Sequence, residues 1–249
     1  TVSEGQAYAL FFSLVANDRS GFDSLLSWTQ NNLAQGDLTR HLPAWHWGRG
    51  ANGWGVLDSN SASDADVLMV YTLAEAGRLW QTPSYTELAV QLGRLVLERE
   101  SRWVKGLGLS LLPGHVGFVR NGDAGAEQVK LNPSYVPLFV MHRLAVLWPD
   151  EPAWASLAQG SLQLLLQSHQ QGRFADWAVF ENGLNLRLSA MAPGSYDAIR
   201  VYLWAGISAV ASGERAARGS SSLAASGKPG GLKPAAAPSG AGWPPLLLP

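Results

Sequence analysis

An all-α fold built from helical hairpins is predicted for this 249-residue chain by three observations. Apolar residues recur at helical spacing in segments that come in pairs. Short polar or Pro-containing turns join the members of each pair, and long Gly- and Trp-rich stretches separate one pair from the next. Loops beyond about 12 to 15 residues in a compact domain are usually functional or disordered, so these stretches are read as the walls of a cleft.

The first helix is expected from Ser3 to about Asn17, with Ala7, Leu10, Phe11, Leu14 and Val15 as its apolar face and Ser3 as its N-cap. A second covers Gly21 to Leu33 through Phe22, Leu25 and Leu26. A Gly/Trp loop from about Gln35 to Asn60 leads to a third helix, Ala62 to Trp80, carried by Val67, Val70, Tyr71, Leu73 and Ala74. Thr82-Pro83 places a cap and a first-turn proline before a fourth, which runs to Glu100. Residues 102–132 are expected as loop with a small ribbon near Val116 to Val119. Helices follow at Pro133 to Trp148 and Ala153 to His169, then an irregular stretch over 171–194, then a seventh helix from about Tyr196 to Ala211. From Ser212 onward Ser, Ala, Gly and Pro dominate, so 1–211 is expected to form one domain and 212–249 a disordered tail.

Composition narrows the partner. Hydrophobic residues make up 47% and charged residues 15%, with a formal net charge of −1, so no basic footprint for nucleic acid is present and a neutral partner is expected. The absence of cysteine excludes disulfides and thiolate chemistry. No apolar run reaches the roughly 18 residues of a membrane span. The chain starts at Thr1 rather than Met, as expected if an upstream export segment has been removed. His41, His46, His115, His142 and His169 lack metal-ligand spacing, and no glycine run has the form of a phosphate loop, so neither metal nor nucleotide cofactor is expected.

Three carboxylates stand out at the starts of predicted helices: Glu4, Asp64 and Asp197. A first-turn acid favoured by the helix dipole explains Glu4 and Asp64 equally well. Arg200, three residues past Asp197, can form a local helix ion pair or hold a functional carboxylate ionised. The chain holds 11 tryptophans, several in loops, and an indole either fills a core or stacks on the apolar face of a sugar.

Taken together and in order, Ser3-Glu4-Gly5-Gln6, Ala62-Ser63-Asp64-Ala65-Asp66, Asn132-Pro133-Ser134-Tyr135 and Tyr196-Asp197-Ala198-Ile199-Arg200 resemble glycoside hydrolase family 8. Within it, the similarity is to the periplasmic endoglucanases that accompany bacterial cellulose synthase, and it runs from Thr1 to about Ala211. The resemblance implies an (α/α)6 barrel and cleavage of β-1,4-glucan with inversion, without a metal. It implies Glu4 as general acid, Asp197 as general base and Asp64 as a catalytic-centre residue that binds the reacting sugar. It implies Tyr135, Tyr196 and Arg200 as cleft residues holding the base or the water, with Trp47 and Trp54 as substrate-binding tryptophans. Cellulose or cello-oligosaccharide is then the expected partner, with a functional association with cellulose synthase and a periplasmic or secreted location.

Such a barrel needs about twelve helices, whereas seven are predicted here. The ring is expected to be incomplete at its C-terminal side, leaving apolar helix faces uncovered. Two functions are therefore expected in competition: an endoglucanase, or a truncated or inactive relative that binds glucan through its tryptophans without cutting it. Xylan and chitosan stay open as substrates.

Overall fold

The computed structural model describes residues 1–121, 127–171, 173–182, 186–191 and 194–209; the predicted tail, 212–249, lies outside them. Helices dominate, in consecutive antiparallel pairs: α1 (Ser3–Val15) with α2 (Arg19–Leu33), α3 (Ser63–Leu79) with α4 (Pro83–Arg99), and α5 (Leu138–Leu147) with α6 (Ala153–Gln167). A further helix, α7, covers 199–209. Helix α3 packs against both α1 and α5, while α2, α4 and α6 each back one of these. The result is an inner row of α1, α3 and α5 with an outer row behind it, the hairpin arrangement of an (α/α) toroid.

Side-chain pattern explains who sits inside. Nearly every residue of α3 from Ala65 to Gly77 is buried, as befits a helix apolar on all sides. One of its two fully enclosed carboxyl groups, Glu75, accepts from Arg78 Nε and from Arg143 Nε on α5 at 2.8 and 2.6 Å, so it is paired rather than stranded. Leu10, Phe22, Met69, Leu73, Leu92, Met141, Leu144 and Trp154 form the centre of the core. Two glycines permit close approach. A Cβ on Gly77 would lie 2.2 Å from Thr86 Oγ1 across the α3–α4 interface, and one on Gly160 would lie 1.9 Å from the Leu109 carbonyl oxygen.

Several expectations need correction. The N-cap of α1 is Val2, held extended by a β-bridge to His46, so Ser3 sits one position inside the helix and is buried. The predicted helix at Pro133 to Trp148 is divided: Pro133–Tyr135 is a 3-10 turn, and α5 begins only at Leu138. Pro137 is the cause, since it lacks an N–H and disfavours helix at the residue before it. The 35–60 loop contains a hairpin, β1 (His46–Gly50) with β2 (Gly53–Asp58).

Strand is also more extensive beyond residue 100 than a single ribbon. β3 (Ser101–Val104) pairs with β4 (Gly108–Leu111), and β7 (His169–Gln170) with β8 (Arg173–Phe174). β5 (Val119–Asn121), β6 (Glu127–Leu131), β9 (Ala178–Asn182) and β10 (Leu186–Met191) form an antiparallel sheet in the order β10-β9-β6-β5. The ribbon expected at Val116 to Val119 begins only at its last residue.

Helix α7 is seated by its aromatic residues. Trp204 Nε1 donates to the Ser134 carbonyl at 2.9 Å, and the ring lies 5.8 Å from Phe139. Apolar side chains are uncovered on several helices, including Phe12 on α1, Val146 on α5, Leu166 on α6 and Leu203 on α7, all more than half exposed.

Candidate active site

The four motif segments converge because each precedes or opens an inner-row helix or α7 at the same end. Backbone hydrogen bonds tie the starts together: Ser3 N–H donates to the Trp45 carbonyl at 2.9 Å and Trp45 N–H to the Asn60 carbonyl at 2.8 Å. Ser63 N–H donates to the Pro113 carbonyl at 3.1 Å. The orphan N–H groups of the helix starts face this rim, which is where carboxylates are favoured.

Arg200 is the hub. Its Nη1 lies 2.6 Å from Asp64 Oδ2 and its Nη2 2.8 Å from Asp197 Oδ1, so one guanidinium joins helices whose starts are 136 residues apart in sequence. The side chains of Arg200, Asp64 and Asp197 are 19%, 10% and 31% exposed, which shields the pairing from solvent screening. Asn132 Nδ2 donates to the other Asp197 oxygen at 3.1 Å, and the Asn132 carbonyl side accepts from Ser134 N–H and Oγ. Asp197 is thereby held on both oxygens. The guanidinium also lies 5.2 Å from the centre of the Tyr135 ring, a cation–π contact.

Electrostatics place Glu4 in the same group. Burial raises the Asp64 carboxyl to about 6, with Arg200 opposing that rise and Glu4 adding to it. Burial likewise outweighs the helix-start effect that on its own would favour the anion. Burial pushes the Tyr135 hydroxyl up strongly, and Asp64, Glu4 and Asp197 all add to it while Arg200 opposes. Tyr135 therefore neighbours all three carboxylates and the arginine. For Arg200, burial works against the charge, but Asp64, Tyr8 and Asp197 more than offset it and keep the guanidinium protonated.

Trp47 and Trp54 stack at 5.2 Å and 20° on the β1–β2 hairpin, with Trp28 edge-on to Trp47 at 5.3 Å. The hairpin adjoins the Glu4 segment, since the Thr1 amino group donates to the Trp47 carbonyl at 2.8 Å and Trp47 N–H donates back to Thr1 at 2.9 Å. Trp54 is 68% exposed, a free indole face beside the rim. Tyr196 differs from the other predicted residues: it is 94% exposed and is not drawn into the Arg200 network.

Two members of the site went unassigned in the sequence. Tyr8 lies one helical turn past Glu4 and hydrogen-bonds Arg200, and its hydroxyl is raised mainly by burial. The spacing of four from Glu4 was the available signal. Asn132, within the Asn132-Pro133-Ser134-Tyr135 motif, is the other, through its bond to Asp197. An aromatic group also extends from Tyr135: Trp177 is 6.1 Å away and stacks parallel to Phe118, and Lys130 Nζ lies 4.2 Å from the Trp177 ring.

Two carboxylates on different helices, one fixed by Arg and Asn and the other outside that pairing, suit acid–base chemistry on a bond laid across the rim. Residues 1–220 match the family described as Glycosyl hydrolases family 8. The chain is 47% identical over 211 residues to an endoglucanase of Salmonella typhi and 44% identical over 210 residues to one of Escherichia coli K12, in each case 83% of this chain and 55% of the relative. It therefore spans about half the length of the curated relatives it matches. The crystal structure of an endo-1,4-D-glucanase from Vibrio fischeri ES114 superposes with a TM-score of 0.76 at 47% identity, over 83% of this chain and 59% of that one. An endo-beta-1,4-glucanase from Acetobacter xylinum gives 0.71 at 29% identity, over 82% and 62%.

Proposed function

Because this chain belongs to glycosyl hydrolases family 8, we propose that it is an inverting endo-β-1,4-glucanase acting on cellulose-like chains laid across the rim of α1, α3 and α7. The observation that carries this reading is the single guanidinium of Arg200 joining Asp64 and Asp197 beside Glu4.

Glu4 is the general acid. It gives its proton to the glycosidic oxygen as the bond from that oxygen to the anomeric carbon breaks. Asp197 is the general base, taking a proton from the water that attacks the anomeric carbon from the opposite face. With one oxygen on Arg200 and the other on Asn132, Asp197 is oriented toward that water. Asp64 holds the hydroxyls of the reacting sugar, and above about pH 6 it is ionised and fully paired with Arg200. Tyr135 lines the cleft beside the base, while Tyr196 stands exposed next to Asp197 in the chain, free to meet the sugar only from the solvent side. Proton return to Glu4 and release from Asp197 to solvent complete the cycle.

Trp54 and Trp47 supply a stacking surface for a sugar ring away from the scission point. Their binding is the same in ground and transition states, so Trp54→Ala is expected to raise KM for cello-oligosaccharides by about tenfold, 1–2 kcal/mol, while leaving kcat within about twofold. The assay is release of reducing ends from carboxymethylcellulose and from defined oligosaccharides, with xylan and chitosan as alternatives. Production of reducing ends from none of them, together with quenching of tryptophan fluorescence by cello-oligosaccharide, favours the second reading, a glucan-binding relative that does not cut. The exposed Trp54 face supports binding in either case. We place the protein in the periplasm or outside the cell, where a cellulose chain is met, in functional association with a cellulose synthase.

A further inference from the structure

Below the rim lies a second acidic pair that the reaction does not use. Asp66, two residues past Asp64, and Glu100, just past the end of α4, are both fully buried. Neither oxygen of Asp66 nor Oε2 of Glu100 meets an N–H or O–H donor among the described residues, yet the two carboxyl groups lie within hydrogen-bonding reach of each other. Two carboxylate anions cannot hydrogen-bond, because each only accepts. One proton between them supplies the missing donor and leaves the pair with a single negative charge.

The other Glu100 oxygen is tied to the surface. Ser61 Oγ donates to Glu100 Oε1, and accepts from the backbone N–H of His115 at 3.1 Å. His115 Nδ1 lies 3.0 Å from Ser61 Oγ and 3.2 Å from Ser61 N–H, which also donates to Asn60 Oδ1 at 3.0 Å. Burial, with Arg99 nearby, lowers the His115 pKa and favours the neutral ring. A Cβ on Gly114 would lie 2.4 Å from the Ser61 carbonyl oxygen, so the 113–116 segment is pressed directly onto the residues that open α3.

We propose that Asp66 and Glu100 hold one proton in common and, through Ser61 and His115, are positioning residues that fix the start of α3 and hence Asp64. The part of this that concerns rate rests on the endoglucanase reading; the shared proton does not. Burial raises both carboxyls, Glu100 to about 8; Asp66 is raised further by Glu100, Asp64 and Glu4, and Glu100 by Asp64. The charged and titratable groups acting on the network are thus Asp64, Glu4 and Arg99. Because the folded state binds the shared proton more tightly than the unfolded chain does, the stability it contributes is full below about pH 4.5 and is lost as pH rises through about 8.

Infrared difference spectroscopy of the whole protein at pH 7 tests the proton, and it needs no activity. The expected result is a protonated-carboxyl carbonyl stretch in the parent that is lost in both Asp66→Asn and Glu100→Gln and kept in Glu4→Gln, which separates it from any band of the general acid. Absence of that band from the parent, or its survival in both variants, overturns the shared proton. Kinetics on carboxymethylcellulose tests the positioning. Asp66→Ala is expected to lower kcat about tenfold with KM within about twofold, since a small misplacement of a site group weighs on the reacting step. Asp66→Asn, which carries a permanent donor, should restore most of that loss and abolish the alkaline fall in kcat near pH 8. An unchanged alkaline limb in Asp66→Asn overturns the positioning role even where Asp66→Ala does not fold. A parent with the infrared band but no activity on any glucan sinks the endoglucanase reading and leaves the proton in place.

Discussion

The Glu4→Gln variant is expected to release reducing ends from carboxymethylcellulose about 10²- to 10⁴-fold more slowly than the parent, with KM little changed, because a positioned general acid contributes on that order to the rate. Glutamine keeps the size of the side chain and its neighbours Ser3, Tyr8 and Asp64, but has no proton to give. The loss should depend on the leaving group. With an aryl cellobioside whose phenol leaves readily as the anion, protonation matters less, and most of the rate should return. Full activity of Glu4→Gln on cellulose would remove Glu4 from the acid role. An equal loss on both substrates would point to misfolding, which far- and near-ultraviolet circular dichroism would show.

The second large effect is expected at Arg200. Arg200→Ala leaves Asp64, with a side chain 10% exposed, and Asp197, 31% exposed, without their common partner. Removing one member of a largely buried ion pair costs about 3 to 5 kcal/mol, because an uncompensated charge stays behind. Asp64 escapes that cost by taking up a proton, so its carboxyl should rise further above about 6, and the variant should recover stability at low pH relative to the parent. Chemical denaturation at pH 5 and pH 8 measures this: the deficit is expected to be larger at pH 8. Arg200→Lys is expected to rescue only part of it, since an ammonium cannot reach both carboxylates with the geometry of a planar fork. A deficit equal at both pH values would show that Asp64 does not carry the charge assigned to it.

The helices were legible because their signal is local. The apolar stripes of α1 to α6 repeat every three to four residues, and the turns carry their own residues, such as Pro83 at the start of α4. What decided the misread parts lies elsewhere in the chain. Val2 became the cap of α1 because it pairs with His46, and β9 formed because its partner β6 stands some fifty residues earlier. Pro137 was readable and would have divided the helix at 133–148. The same division holds in the site. Motif residues at helix starts announced Glu4, Asp64, Asp197 and Arg200, and the i, i+3 spacing announced the Asp197–Arg200 pair. The Asp64–Arg200 bond, which holds the rim together, joins positions that no periodicity relates. Glu100 is the plainest case, since it reads as the polar end of an amphipathic helix until Asp66 is placed against it.

Stereochemistry reaches the central claim most directly, because it reports whether water passes between two carboxyl groups. Proton nuclear magnetic resonance of the first products from a cello-oligosaccharide should show the α-anomer at the new reducing end, which then mutarotates toward the equilibrium mixture. Initial formation of the β-anomer would mean a covalent sugar–enzyme intermediate and a carboxyl pair only about 5 to 5.5 Å apart, and would contradict Asp197 as a base acting on water.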